Sequence, residues 1–229
     1  MGQTMNDGKH EKLGVIFSKK DEPLVSMRNR SPKIVIHPIY YQKNILGTSD
    51  DLFLREGVAR KVISAANQLP EGLSLVLLDG WRSYETQLYI YKKTIYEFKK
   101  MGYTDEKIKR DIGSFVAYPS KDPEKPAPHF TGGAIDLTIA KDMEWLDMGT
   151  DFDDFSDKAY LDYYENCENL TEQDTVRRDN RRLLKAIMTQ EGFTVNPSEW
   201  WHYDFGNRPW SEKTKQSMLY SGISKWPLE

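Results

Sequence analysis

Residues 128–140 read Pro128-His129-Phe130-Thr131-Gly132-Gly133-Ala134-Ile135-Asp136-Leu137-Thr138-Ile139-Ala140. His129 and Asp136 stand seven residues apart with a Gly132-Gly133 hinge between them and an apolar run after it. On one straight strand an odd separation sends two side chains to opposite faces. They meet only if the backbone bends, and the glycine pair supplies the bend. This reading puts His129 on a loop and Asp136 in a buried strand, where both could turn toward one cation.

Working outward, Tyr118 to Pro128 is a proline- and charge-rich approach that continues neither helix nor strand. Leu73 to Leu78 is a nearly continuous apolar run of strand length, expected to be buried on both faces, with Asp79-Gly80-Trp81-Arg82-Ser83 at its end. Apolar residues at helical spacing predict helices over Asp51 to Leu69, with Ser49 or Asp50 as N-cap, and over about Tyr84 to Lys100, ended by Gly102. Thr104 to Arg110 reads as a short charged helix. Thr171 to Glu191 is the clearest helix, opened by a capping box of Thr171 and Asp174. Val176, Leu183, Leu184, Ile187 and Met188 form its core stripe, and the pairs Arg177-Arg178 and Arg181-Arg182 mostly its solvent flank.

Short strands are expected at Lys33–Ile36, Phe193–Val195 and Trp200–Phe205, with an aromatic loop at Tyr40-Tyr41 and Asn44 to Gly47 and a long ordered loop from Lys141 to Asn169. Residues 1–31 read as a tail and extended lead-in, 32–212 as one domain, and 213–229 as a second tail. Periodicity alone is compatible with either an α+β or an α/β arrangement.

A chain of 229 residues supports one sizeable core. A net charge of -3 offers no field for nucleic acid or an anionic membrane, and no apolar run approaches the roughly 18 residues of a membrane span. A single cysteine, Cys167, excludes an internal disulfide and a multi-cysteine metal site. The ends, Met1-Gly2 and Leu228-Glu229, have the form that cloning sites leave behind, so a secretion signal removed from the native chain stays open. Oligomeric state is not legible in the sequence.

Of four histidines, His202 lies in Ser198-Glu199-Trp200-Trp201-His202-Tyr203-Asp204, where a carboxylate and an imidazole sit among aromatic residues. Burying such groups unpaired costs several kcal/mol, so something should compensate them. One zinc ion would: a catalytic zinc takes three protein ligands and keeps a position for water. His129, Asp136 and His202 supply three, Glu199 is left over as general base, and Arg82 is the natural electrophile for an oxyanion. Each has an ordinary structural use too. His129 could be a turn histidine, Glu199 and His202 a satisfied polar pair, and Arg82 a salt-bridge partner of Asp79 or Glu85. The acidic stretch from Gly149 to Phe155 lacks the ligand spacing of a calcium loop.

Taken jointly, these positions resemble the zinc-dependent D-alanyl-D-alanine dipeptidases, including the vancomycin-resistance type, within the wider D,D-carboxypeptidase-like zinc peptidases. The family's His-x2-Gly-x-Ala-x-Asp is present as His129 to Asp136, its Glu-x-Trp-His as Glu199-Trp200-Trp201-His202, and the arginine of its Asp-Gly-Tyr-Arg-Pro as Arg82. Its Gly-x-x-Phe-Asp loop appears as Gly149-Thr150-Asp151-Phe152-Asp153, whose last residue the resemblance assigns to the substrate's ammonium group. Two positions depart from the pattern: Ala127 replaces a serine near the substrate amine, and Ser83 replaces the proline after the arginine.

The resemblance implies an α+β fold with a central, mainly antiparallel sheet flanked by helices and one Zn2+ per chain. It also implies hydrolysis of D-Ala-D-Ala or a related short dipeptide with a free N-terminus, and so a small peptide as partner. A carboxypeptidase or endopeptidase acting on longer peptidoglycan stems, and a non-catalytic zinc-binding module that recognises peptides, are the alternatives. The cell envelope is the expected location, with the cytoplasm as alternative.

Overall fold

The structure, a computed structural model, describes residues 22–224. The chain begins with β1 (Leu24–Ser26), β2 (Ile34–Ile36), a short helix α1 (Ile39–Gln42), β3 (Phe53–Arg55) and α2 (Glu56–Asn67). Next come β4 (Leu73–Asp79), α3 (Tyr84–Lys100), α4 (Asp105–Asp111), β5 (Ala134–Lys141) and β6 (Glu144–Trp145). The last elements are α5 (Glu172–Gln190), β7 (Thr194–Asn196), β8 (Glu199–Asp204) and α6 (Arg208–Thr214).

Six strands form the main sheet in the order β2-β4-β5-β8-β7, with β6 also paired to β5. Only β2 and β4 run parallel; the other pairings are antiparallel. This is the α+β architecture expected, with a central and mainly antiparallel sheet. β4 and β5 form its interior: Leu75, Val76, Leu77 and Leu78 are at most 1% exposed, and Ile135, Leu137 and Ile139 are fully buried. At about 1.5–3 kcal/mol for each large apolar side chain removed from water, these two strands fix the sheet firmly. Strand alternation puts Ile135, Leu137 and Ile139 on one face and Asp136 and Thr138 on the other. One strand thus serves core and site together.

Local chemistry sets the helix ends. The Ser83 hydroxyl accepts from Thr86 N at 3.1 Å to start α3, and Thr104 starts α4 in the same way. Ser83, in place of the family's proline, is therefore an N-cap. The Thr171–Asp174 capping box opens α5 as expected.

Three expectations need correction. The helix expected over Asp51 to Leu69 begins only at Glu56, because Phe53–Arg55 pairs with Leu24–Ser26 as a separate two-stranded sheet. Tertiary pairing overrides the helical spacing there. In place of the loop expected at Tyr40-Tyr41, Ile39–Gln42 is a short helix that buries Tyr40. On α5, Val176 is 48% exposed while Arg181 is 2% exposed, the reverse of the reading from periodicity. Arg181 donates to the carbonyls of Met148, Lys158 and Tyr160 at 2.6–2.8 Å, so its guanidinium pins the loop between β6 and α5 to the helix.

The expected N-terminal tail lies outside the described residues up to residue 21, and the extended lead-in after it contributes β1. Within the expected C-terminal tail, Met218 and Tyr220 are buried. No helix among the described residues is long and apolar enough to cross a membrane.

Candidate active site

Strand register brings the polar groups into line. Asp136 on β5 stands opposite His202 on β8, and on its other side opposite Asp79 on β4, where a bulge between Leu77 and Asp79 resets the pairing. Three neighbouring strands thereby present Asp79, Asp136 and His202 in one row. His129 comes from the turn before β5. Residues His129–Thr131 form one 3-10 turn, closed by Gly132 at φ +71°, a left-handed conformation that glycine adopts at no steric cost. That bend carries the histidine to the same point as the aspartate.

His129, Asp136 and His202 are all buried. Asp136 Oδ1 lies 2.9 Å from His202 Nδ1, His129 Nε2 lies 3.2 Å from the same nitrogen, and Asp136 Oδ2 is 3.4 Å from His129 Nε2. Ligand atoms around a tetrahedral zinc with bonds of 2.0–2.1 Å stand about 3.3 Å apart, close to the 3.2 Å between the two imidazole nitrogens, and the Asp136 carboxylate sets Oδ1 against one of them and Oδ2 against the other. The outward nitrogens are held as well. His129 Nδ1 is 2.7 Å from Gly80 O, and His202 Nε2 is 3.1 Å from Asp204 Oδ1, which also accepts from Asn207 Nδ2 at 2.6 Å. Partners of this kind set tautomer and ring orientation at metal centres. Two imidazoles and a carboxylate, buried and converging with their far atoms anchored, fit a divalent cation.

Arg82 leaves the end of β4 beside this group. Its Nε bonds Asp79, Nη1 donates to Gln87 Oε1 at 3.0 Å, and Nη2 lies 3.3 Å from Asp136 Oδ2. Three of its five N–H groups are thus engaged, and among the described residues the other two have no partner and can meet a ligand. Burial would lower the Arg82 pKa, but Asp79, Tyr40 and Asp136 outweigh it and keep the side chain charged. For Asp136, burial favours the neutral acid, yet the two histidines hold its carboxyl well below the usual range. Burial would likewise lower His202, and Asp204 with Asp136 raises it well above its ordinary value.

Glu199, 13% exposed, lies 3.9 Å from His202 Nδ1, and its Oε2 accepts from Asn196 Nδ2 at 2.8 Å. Burial pushes its carboxyl up to about 8, with Asp136 and Asp153 adding to the shift. Asp153 stands apart from the cluster. Its Oδ1 accepts from Tyr40 Oη at 2.9 Å, Lys43 Nζ lies 3.8 Å from Oδ2, and Arg82 stacks over the Tyr40 ring at 5.0 Å. Asp153 adopts φ +65°, an uncommon backbone for a residue with a Cβ, and burial raises its pKa to about 6.

Two spaces meet at Arg82. A cavity of about 530 Å³ is bounded by His129, Glu199 and His202 and reaches out past Ala127 and Tyr118. A recess of about 150 Å³ contains Asp153, Tyr40 and Lys43. Ala127 lines the first and Asp153 the second, so the alanine sits on the wall with His129, away from Asp153. Sequence reading missed Tyr40, Asn196, Gln87 and the Asp204–Asn207 pair as parts of this arrangement. Asp204 had a usable signal, since it lies two residues beyond His202 on a strand and shares its face. Tyr40 had none, because its contact to Asp153 spans 113 positions.

Known proteins resemble this chain in sequence. A D-alanyl-D-alanine dipeptidase of Synechocystis is 28% identical over 182 residues, covering 71% of this chain and 73% of that protein. One of Escherichia coli is 38% identical over 77 residues, 33% of this chain and 36% of its own. Among solved structures, a vancomycin-resistance D,D-pentapeptidase in complex with Zn(II) overlaps 81% of this chain and 94% of its own at 18% identity, with a TM-score of 0.43. The family model described as D-ala-D-ala dipeptidase matches residues 38–219, from the start of α1 to beyond α6, a span that holds every group described above. On that match the chain belongs to the D-Ala-D-Ala dipeptidase family of metallopeptidases, Peptidase_M15.

Proposed function

We propose that the protein hydrolyses D-Ala-D-Ala, or a related short dipeptide with a free N-terminus, with one Zn2+ held by His129, Asp136 and His202. The observation that carries this reading is the convergence of three buried residues: His129 Nε2 lies 3.2 Å from His202 Nδ1, and the Asp136 carboxylate reaches the first with Oδ2 at 3.4 Å and the second with Oδ1 at 2.9 Å. His129, Asp136 and His202 would hold the zinc ion, which would supply Lewis acidity toward a carbonyl and a bound water.

The chain's own groups do the rest. Glu199 accepts the proton of the attacking water and returns it to the departing amine; a cation nearby favours its carboxylate form against the effect of burial. Arg82, held rigidly by Asp79, Gln87 and Asp136, directs its free N–H groups at the oxyanion. Asp153, steadied by Tyr40, pairs with the substrate's ammonium group in the smaller recess. An N-acylated peptide offers no charge there, which confines the enzyme to free dipeptides.

Zinc analysis, together with turnover on a panel of D,D and L,D dipeptides and one N-acylated pentapeptide, tests the proposal. Stoichiometric zinc with cleavage of free D,D-dipeptides supports it. Preference for the acylated pentapeptide points instead to a carboxypeptidase, and zinc with no hydrolysis to a binding module.

A further inference from the structure

The turn that carries His129 is held from behind by parts of the chain outside every catalytic motif. Arg55, at the end of β3, is 5% exposed. Its Nε donates to Thr131 O at 2.8 Å, Nη1 to Glu22 O at 2.6 Å and Nη2 to Ser221 O at 2.8 Å, and its backbone N–H donates to Gly132 O at 3.0 Å. Ile223 N donates to Phe130 O at 2.9 Å. The three successive carbonyls after His129 are therefore bound, in order, by the C-terminal segment, the Arg55 side chain and the Arg55 backbone. His129 O itself accepts from Arg82 N at 3.3 Å and from Gly132 N at 3.1 Å.

Packing runs along the same lines. A Cβ added at Gly222 would come within 2.5 Å of the Phe130 ring, so the C-terminal segment lies directly against the residue next to His129. Leu219 N and Tyr220 N both donate to Gly206 O, two residues beyond Asp204, the partner of His202. The segment 219–223 thus touches the supports of two of the three donor residues.

From this we infer that Arg55 and the C-terminal segment Leu219–Ile223 are positioning elements of the metal centre: by fixing the carbonyls of residues 130–132 they hold His129 in line with Asp136 and His202. A buried arginine that bonds carbonyls of three separate segments leaves each of them unpaired when it is removed. The turn would then be free to swing, and the imidazole with it. The inference rests on the reading of His129 as a zinc ligand.

Two variants test it, Arg55→Lys, which keeps the charge but not the fork, and Gly222→Ala, which presses on Phe130 without removing a hydrogen bond. For each, Zn2+ affinity is measured by competition with a chromophoric chelator, the visible absorption of the Co2+ form is recorded, and thermal melting is followed without metal. The expected result is a loss of Zn2+ affinity of about tenfold or more and an altered Co2+ band, in the range seen when outer partners of metal ligands are removed. In Gly222→Ala the metal-free protein should still melt in one cooperative transition, lowered only as overpacking lowers it. Should Arg55→Lys fail to fold, Gly222→Ala decides alone. Parental Zn2+ affinity and Co2+ spectrum in Gly222→Ala, and in Arg55→Lys if it folds, would overturn the inference and leave the segment a purely stabilising role. A parent that binds no Zn2+ would refute the zinc reading itself.

Discussion

Asp136 and His202 face each other across the β5–β8 pair, and their side chains meet at 2.9 Å between Oδ1 and Nδ1. The two positions are 66 residues apart in sequence. Sheet register alone makes them neighbours, and a one-residue slip of either strand would send one of them to the far face. The candidate metal site is thus as firmly specified as the core that fixes the register.

Loading the site should release protons. Without metal, His202 holds its proton well above the ordinary value, and burial raises Glu199 to about 8. A dication disfavours both protonated forms, since its ligands bind deprotonated and a neighbouring carboxyl is drawn to its charged state. Apparent zinc affinity should therefore increase as pH rises toward about 8, with net proton release at pH 7. Calorimetric titrations in buffers of different ionisation enthalpy measure that release; a titration with no buffer dependence would speak against the assignment.

Substrate capture should depend on Asp153. Burial raises its carboxyl from the ordinary range to about 6, so it loses its charge as pH falls through that value. KM for a free dipeptide, measured with zinc kept saturating, is expected to rise below about pH 6. Asp153→Asn should raise KM at every pH and flatten that dependence. If the variant keeps the parent's KM profile, the ammonium contact lies elsewhere.

Gly149 starts the loop that carries Asp153. It sits at φ +90°, and an added Cβ would come within 2.6 Å of Tyr164 Cε2. Gly149→Ala combines a disfavoured backbone with overpacking, and should cost about 1–3 kcal/mol in urea unfolding and raise KM along with it. Unchanged stability would mean that Tyr164 yields freely and that the loop is not braced there.

Much of this was legible in the sequence, for identifiable reasons. β4 and α3 are long and strongly patterned, so their bounds matched expectation to within about a residue. The candidate ligand residues stood out because a carboxylate in an apolar run and a histidine among tryptophans both require compensation. The features that stayed hidden depend on contacts that no local pattern encodes. Phe53–Arg55 looked helical because its strand partner lies elsewhere in the chain, and Arg181 looked solvent-exposed because the carbonyls it bonds belong to a distant loop. Tyr40 and Arg55 act only through residues brought to them by the fold.

Glu199 is the only proposed catalytic group here that neither ligates the metal nor anchors a ligand, so its removal separates chemistry from metal binding. In Glu199→Ala, turnover of D-Ala-D-Ala should fall by about 10²–10⁴-fold, the contribution of a positioned general base, with one zinc per chain retained. Hydrolysis at the parent's rate by the zinc-loaded variant would contradict the account.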